Sequence, residues 1–136
     1  MKEALLQAAA DLARQTGAVL FATADRHGRP HIGVAGKLSL HYGKQKIVLQ
    51  EWFCPATIAN LAHRRAISLV VWDVQADSGY QILGQVEAIE ETAMLDGYLA
   101  DEPQPPPSQV RRDLLIDPED ILPFSRRPHS DTPSFG

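Results

Sequence analysis

Residues 18–42, AVLFATADRHGRPHIGVAGKLSLHY, decide the fold. AVLFATA (18–24) is almost wholly apolar or small and reads as a buried strand. DRHG (25–28) follows, with Asp leading and Gly closing, which is the chemistry of a tight turn. PHIGVAGKLSLHY (30–42) then alternates. Ile32, Val34, Gly36, Leu38 and Leu40 share one face of a single long strand, and Gly33, Ala35, Lys37, Ser39 and His41 the other. Two strands joined by so short a turn pair antiparallel.

Upstream, Ala4, Leu5, Ala8, Leu12 and Ala13 recur at helical spacing between Lys2 and Arg14, and Gly17 stands where a left-handed cap belongs. Downstream, KIVLQEW (46–52) reads as a third strand and Pro55 to His63 as a short helix. AISLVVWDV (66–74) and GYQILGQVEAIEE (79–91) are two further strands joined by a polar turn. Thr92 is placed to cap another short helix, AMLDGYLA (93–100). DEPQPPPSQ (101–109) is proline-dense and reads as an exposed connection. VRRDLLIDPEDILPF (110–124) is a last strand, broken or bulged at Pro118. This order predicts an α+β protein: a six-stranded antiparallel barrel with short flanking helices, one domain over 1–124. SRRPHSDTPSFG (125–136) has no packing pattern and reads as a tail.

A net charge of -4 over 136 residues argues against a nucleic-acid partner, whose phosphates want a basic face. The one cysteine excludes an intrachain disulfide and suits a reducing cytosol. Glu3 and Asp11 interrupt the apolar positions of the N-terminus, unlike the core of a signal peptide, and no apolar run is long enough to span a bilayer. A cytoplasmic location is expected. The five histidines show no ligand spacing, so no metal is expected.

Chemistry concentrates in EWFCPATIANL (51–61). Pro55 suits a first helical position, which makes Cys54 the N-cap. There its thiol pKa would fall, but no base adjoins it in sequence, so a structural role is favoured over a nucleophilic one. The amides of Ala56, Thr57 and Ile58, with the Thr57 hydroxyl, would form an anion site. The small residues Gly33 and Ala35 would let a flat ring approach the neighbouring strand. Arg64 and Arg65 end the helix as solvated cations.

The runs LFATADRHGRPHIGVAG, KIVLQEWFCPATIANLAHRRAISLVVWD and GYQILGQVEAI, in that order and spacing, resemble the pyridoxamine 5'-phosphate oxidase-like family of FMN-binding split β-barrels. The likeness runs from about Leu12 to Glu90, with a weaker match for the final strand. It implies a homodimer with FMN at the subunit interface. By position, it places Gly33, Val34, Ala35 and Lys37 beside the flavin, Leu49, Gln50 and Glu51 on the next strand, Pro55, Ala56 and Thr57 on the phosphate loop, and Tyr80 and Gln81 across the dimer. Many members carry serine followed by a lysine or arginine in the phosphate loop, where this chain reads Cys54, Pro55, Ala56; Arg64, Arg65 or Lys37 would then have to supply the charge. The longer C-terminal substrate elements of the true oxidases are not seen, so that particular activity is not expected. The implied function is FMN-dependent oxidoreduction of an unidentified small substrate. The alternative is a non-catalytic split barrel holding a flavin, a deazaflavin or another flat anion.

Overall fold

Antiparallel pairing organises the chain, as its short polar turns require. The computed structural model describes residues 2–41, 43, 45–51, 53–92 and 111–128. The expected helix at 93–100, the connection at 101–109 and the end of the tail lie outside them. The elements run α1 (Lys2–Thr16), β1 (Val19–Ala24), β2 (Pro30–Ala35), β3 (Lys37–His41), β4 (Lys46–Glu51), α2 (Pro55–His63), β5 (Ala66–Asp73), β6 (Ser78–Thr92) and β7 (Arg111–Phe124). Among the described residues no helix is long and apolar enough to cross a membrane.

The sheet has seven strands rather than six, in the order β2-β1-β5-β6-β7-β4-β3. The extra strand comes from dividing 30–42 at Gly36. Its first half pairs β1, with Val19 opposite Ala35, and its second half pairs β4, with Lys37 opposite Gln50. The two edges of the sheet are therefore consecutive in sequence, and the sheet must curl into a barrel to bring them together.

The break also shifts the alternation. Ala35 is fully buried and Leu38 nearly so, whereas Ile32 and Val34 are 69% and 55% exposed. The single face expected to carry Ile32, Val34, Leu38 and Leu40 does not exist: Gly36 moves the inward position from odd to even numbers. Inside, Val19, Phe21, Ile47, Leu49, Leu69, Ile82, Leu114 and Ile116 form one cluster. Each large aliphatic side chain there removes apolar surface worth about 1.5–3 kcal/mol.

Helix α1 lays Leu6, Ala9, Ala10 and Ala13 on this core, a stripe at i, i+3, i+4 and i+7. Ala4, expected in the stripe, is exposed. The helix ends as predicted, with Gly17 at φ 78 and its amide 2.8 Å from the Ala13 carbonyl. In β7 the register steps from Asp120 to Pro118 opposite Leu83 and Gly84, so Glu119 is skipped. A bulge beside Pro118 is what a residue without an amide needs inside a sheet.

The chain beyond β7 is not wholly without packing. The Asp77 carboxylate accepts the amides of Arg126 (2.8 Å) and Arg127 (3.2 Å) and the Trp72 indole N–H (3.2 Å). The Trp72 ring meets Phe124 edge-on at 5.7 Å, with the Arg126 guanidinium 5.9 Å from its centre. The amide of Arg126, ahead of lesser contributions from the indole, the Arg127 amide and the Arg126 charge, holds the Asp77 pKa below the usual carboxylate range.

Candidate functional site

The start of α2 is anchored from below. Phe53 is 2% exposed and meets Phe21 edge to face at 5.4 Å. One turn on, Thr57 and Leu61 are fully buried, and the Asn60 side-chain amide donates to the Thr23 hydroxyl at 3.0 Å. At the far end, the Arg64 guanidinium donates to the Arg26 carbonyl at 3.3 Å. The helix therefore lies along the β1–β2 hairpin, with its first residue in a fixed place.

That first residue is as predicted: Cys54 is the extended N-cap and Pro55 opens the helix. The amides differ from expectation. Thr57 N–H donates to the Cys54 carbonyl at 3.1 Å and Ile58 N–H to the same oxygen at 3.4 Å. The Thr57 hydroxyl sits 3.4 Å from the Cys54 sulfur. The first turn thus leaves the Ala56 amide without a backbone acceptor among the described residues. Arg64 and Arg65 lie beyond the other end of a nine-residue helix, about 13 Å long at 1.5 Å per residue, too far to replace a missing loop cation there.

The basic side chain that does reach this turn is His31, whose Nε2 stands 3.3 Å from the Cys54 sulfur. Partial burial opposes ionisation of the thiol. The hydroxyl and amide of Thr57, then the hydrogen bond and charge of His31, outweigh that and lower its pKa to about 7. Sequence reasoning missed this base. The available signal was strand alternation, which puts His31 on the face of Gly33 and Ala35, but only the packing of α2 against β2 turns that face toward Cys54.

The remaining site residues fall into separate groups. Val34 points outward, in a cross-strand row with Leu20, Val70 and Gln81. Beside it runs the row of Ile32, Ala22, Ser68 and Leu83. Together they make an apolar outer face on which Leu20 is 43% exposed, with a shallow depression of about 300 Å³ at one side. Gln81 donates to the Ser68 hydroxyl at 2.8 Å. Lys37 is exposed on β3 opposite Gln50, which in turn faces Asp113 on β7. The Gln50 Oε1 and an Asp113 oxygen are buried without a hydrogen-bond partner. Glu51 approaches Gly36, where an added Cβ would lie 3.4 Å from its carboxylate. Leu49 is fully buried and Tyr80 packs against the core.

Gly33 and Ala35 correct the flat-ring argument. They face the barrel interior, and a Cβ on Gly33 would lie 2.4 Å from the tip of Phe21. Their small size makes room for an internal phenyl ring, so it says nothing by itself about an external one. Among the described residues no group of three or more His, Cys, Asp or Glu is placed to hold a metal ion.

A closed antiparallel sheet with its edges joined at one bent strand, and a short helix capping the first hairpin, defines a split β-barrel. The chain belongs to the pyridoxamine 5'-phosphate oxidase family, whose model matches residues 5–123. No curated protein matches it. Among solved structures it is similar to an FMN-binding protein from Syntrophomonas wolfei subsp. wolfei, at 17% identity and a TM-score of 0.67, covering 94% of this chain and 91% of that one. It is also similar to HupZ of Group A Streptococcus, at 20% identity and a TM-score of 0.63, covering 91% and 97%. A third similar structure is an F420 reductase, at 17% identity and a TM-score of 0.61, covering 82% and 93%. At these identities the likeness establishes the fold.

Proposed function

We propose that this chain is a cytoplasmic homodimer, with one FMN-binding domain over residues 1–124, that passes electrons through FMN to a small substrate. The observation that carries the reading is the apolar outer face of β2, β1 and β5. Ile32, Val34 and Leu20 stand exposed side by side where a barrel has no structural need of them. A second copy and a flat ring are both occupants that such a face accepts, and a stable dimer would bury on the order of 2,000 Å² in total.

The residues present fit the ring better than its phosphate. The unpartnered Gln50 oxygen is an acceptor suited to a ring N–H, and Lys37 stands opposite it in register. The Ala56 amide and His31 are the groups available to a phosphate at the start of α2. When bound, FMN supplies the redox chemistry. The chain's own part is to accept at Gln50, to donate at Ala56, and to shield the ring from water with Val34 and its neighbours.

The test is direct: the purified protein should be yellow, bleach with NADH or NADPH under nitrogen, and scatter light as a dimer. A colourless monomer that takes up no added FMN sinks the proposal. One observation favours the second reading, a non-catalytic flavin or deazaflavin carrier: the phosphate end has neither a loop cation nor the three free amides expected of it. A yellow dimer that no pyridine nucleotide bleaches would support that reading instead.

A further inference from the structure

Cys54 and His31 stand 23 positions apart in sequence, one at the start of α2 and the other on β2. A small polar N-cap such as serine would serve α2 equally well. At the β2 position, β-branched residues are the usual choice. The fold instead sets an imidazole nitrogen 3.3 Å from a half-buried sulfur, with the Thr57 hydroxyl 3.4 Å from the same atom. That is the arrangement of an activated nucleophile: a base within reach of the thiol proton, and a donor to hold the resulting anion.

We propose that His31 serves as the base for the Cys54 thiol and makes Cys54 a site of oxidation by hydrogen peroxide. The thiolate sulfur attacks one peroxide oxygen and the O–O bond breaks. Sulfur loses two electrons to the peroxide, and the departing hydroxide takes the thiol proton that His31 accepted. The products are a sulfenic acid on Cys54 and water. The pair, rather than the cysteine or the helix end alone, carries this chemistry, because the leaving oxygen needs a proton that Thr57 cannot replace. Because His31 is also a group offered above to the FMN phosphate, the proposal concerns the protein free of FMN.

Among the described residues, His31 on β2 is the titratable group that faces the sulfur. Thr57 on α2 carries no charge, the histidine of α2, His63, stands at its opposite end, and from β1 the neighbouring polar group is the Thr23 hydroxyl bound by Asn60. A midpoint in thiol reactivity therefore reports this pair.

Absolute rate is a poor test, for a quantitative reason. With its pKa near 7, Cys54 is about half thiolate at neutral pH, against about 3% for a free cysteine of pKa about 8.5. A thiolate of lower pKa is also intrinsically less nucleophilic, by roughly fivefold for this difference. The net advantage at pH 7 is about threefold. The position of the pH profile discriminates far better.

The experiment measures iodoacetamide alkylation of the protein free of FMN from pH 5 to 10, with mass spectrometry on the sole cysteine. It adds dimedone trapping after a hydrogen peroxide pulse at pH 7. Wild type should titrate with a midpoint near 7 and trap a sulfenic acid at Cys54. His31→Gln, checked for folding by circular dichroism, should move the midpoint upward and cut dimedone trapping several-fold. A wild-type midpoint at the ordinary thiol value overturns the proposal without recourse to the variant. An unchanged midpoint and unchanged trapping in folded His31→Gln overturn it as well.

Discussion

Replacing Gly33 with alanine separates two reasons for a small residue at one position. The added methyl carbon would sit 2.4 Å from Phe21 Cζ and 3.0 Å from both neighbouring ring carbons. Phe21 cannot simply swing aside, because it is 4% exposed and locked edge-on against Phe53. Overpacking of this kind costs about 1–3 kcal/mol. Against it, replacing glycine in a strand recovers about 0.5–1 kcal/mol of backbone entropy. The net loss should be about 1–2 kcal/mol, or about 3–6 °C in Tm for each kcal/mol in a domain of this size. Phe21→Leu should relieve it, so that Gly33→Ala becomes nearly neutral in that background, a coupling of about 1–2 kcal/mol. Urea titrations of the four proteins of this cycle provide the measurement, with FMN titrations alongside. If Gly33→Ala leaves stability untouched and instead abolishes flavin uptake, the glycine is small for an external ring and the packing argument is wrong.

Asn60→Ala leaves the buried Thr23 hydroxyl without its donor and should cost about 1–3 kcal/mol in a urea titration. Asp77→Asn should release residues 125–127, read as faster tryptic cleavage after Arg126 at neutral pH. Because the folded Asp77 pKa is depressed, its stabilising effect is full above the ordinary carboxylate pKa and is lost as pH falls through the lowered value. Exchange protection of the Arg126 and Arg127 amides should therefore hold at neutral pH and fade only in acid below that range. Ala56→Lys places a cation at the exposed start of α2, where a charge-assisted phosphate contact of about 1.5–3 kcal/mol exceeds the helix-dipole penalty of about 0.3–1 kcal/mol. FMN fluorescence quenching should show several-fold tighter binding at low salt that shrinks at high salt, and equal affinities would place the phosphate elsewhere.

Local chemistry was legible in the sequence wherever one residue settles the backbone. Gly17 ends α1, Pro55 opens α2, and Pro118 forces a bulge, each for a reason internal to that residue. Five of the six expected strands are single strands, because their apolar runs and turns agree; the sixth, over 30–42, is divided in two. What failed to show was anything decided by contact between distant segments. Gly36 looked like one more small residue in an alternating strand; that it divides the strand follows from having β1 to pair on one side and β4 on the other. The inward turn of Gly33 and Ala35 follows from the same division and from the place Phe21 takes. His31 and Cys54 meet only because α2 packs along the first hairpin, and the Thr57 and Ile58 amides were withdrawn from the anion site by the Cys54 carbonyl.

The joining of the two sheet edges through Gly36 gives the strands the connectivity of a closed necklace. Six links are hydrogen-bonded ladders and the seventh is covalent. Cutting any one ladder in such a ring leaves every strand still attached to the others through the remaining path, so a local breach need not propagate into collapse. The thinnest link is β1–β5, with three registered pairs, Leu20–Val70, Phe21–Leu69 and Ala22–Ser68, against eight between β5 and β6. It is there that the wall would part first, directly beneath the exposed Leu20. A barrel built this way can yield at its thinnest seam and reseal without coming undone.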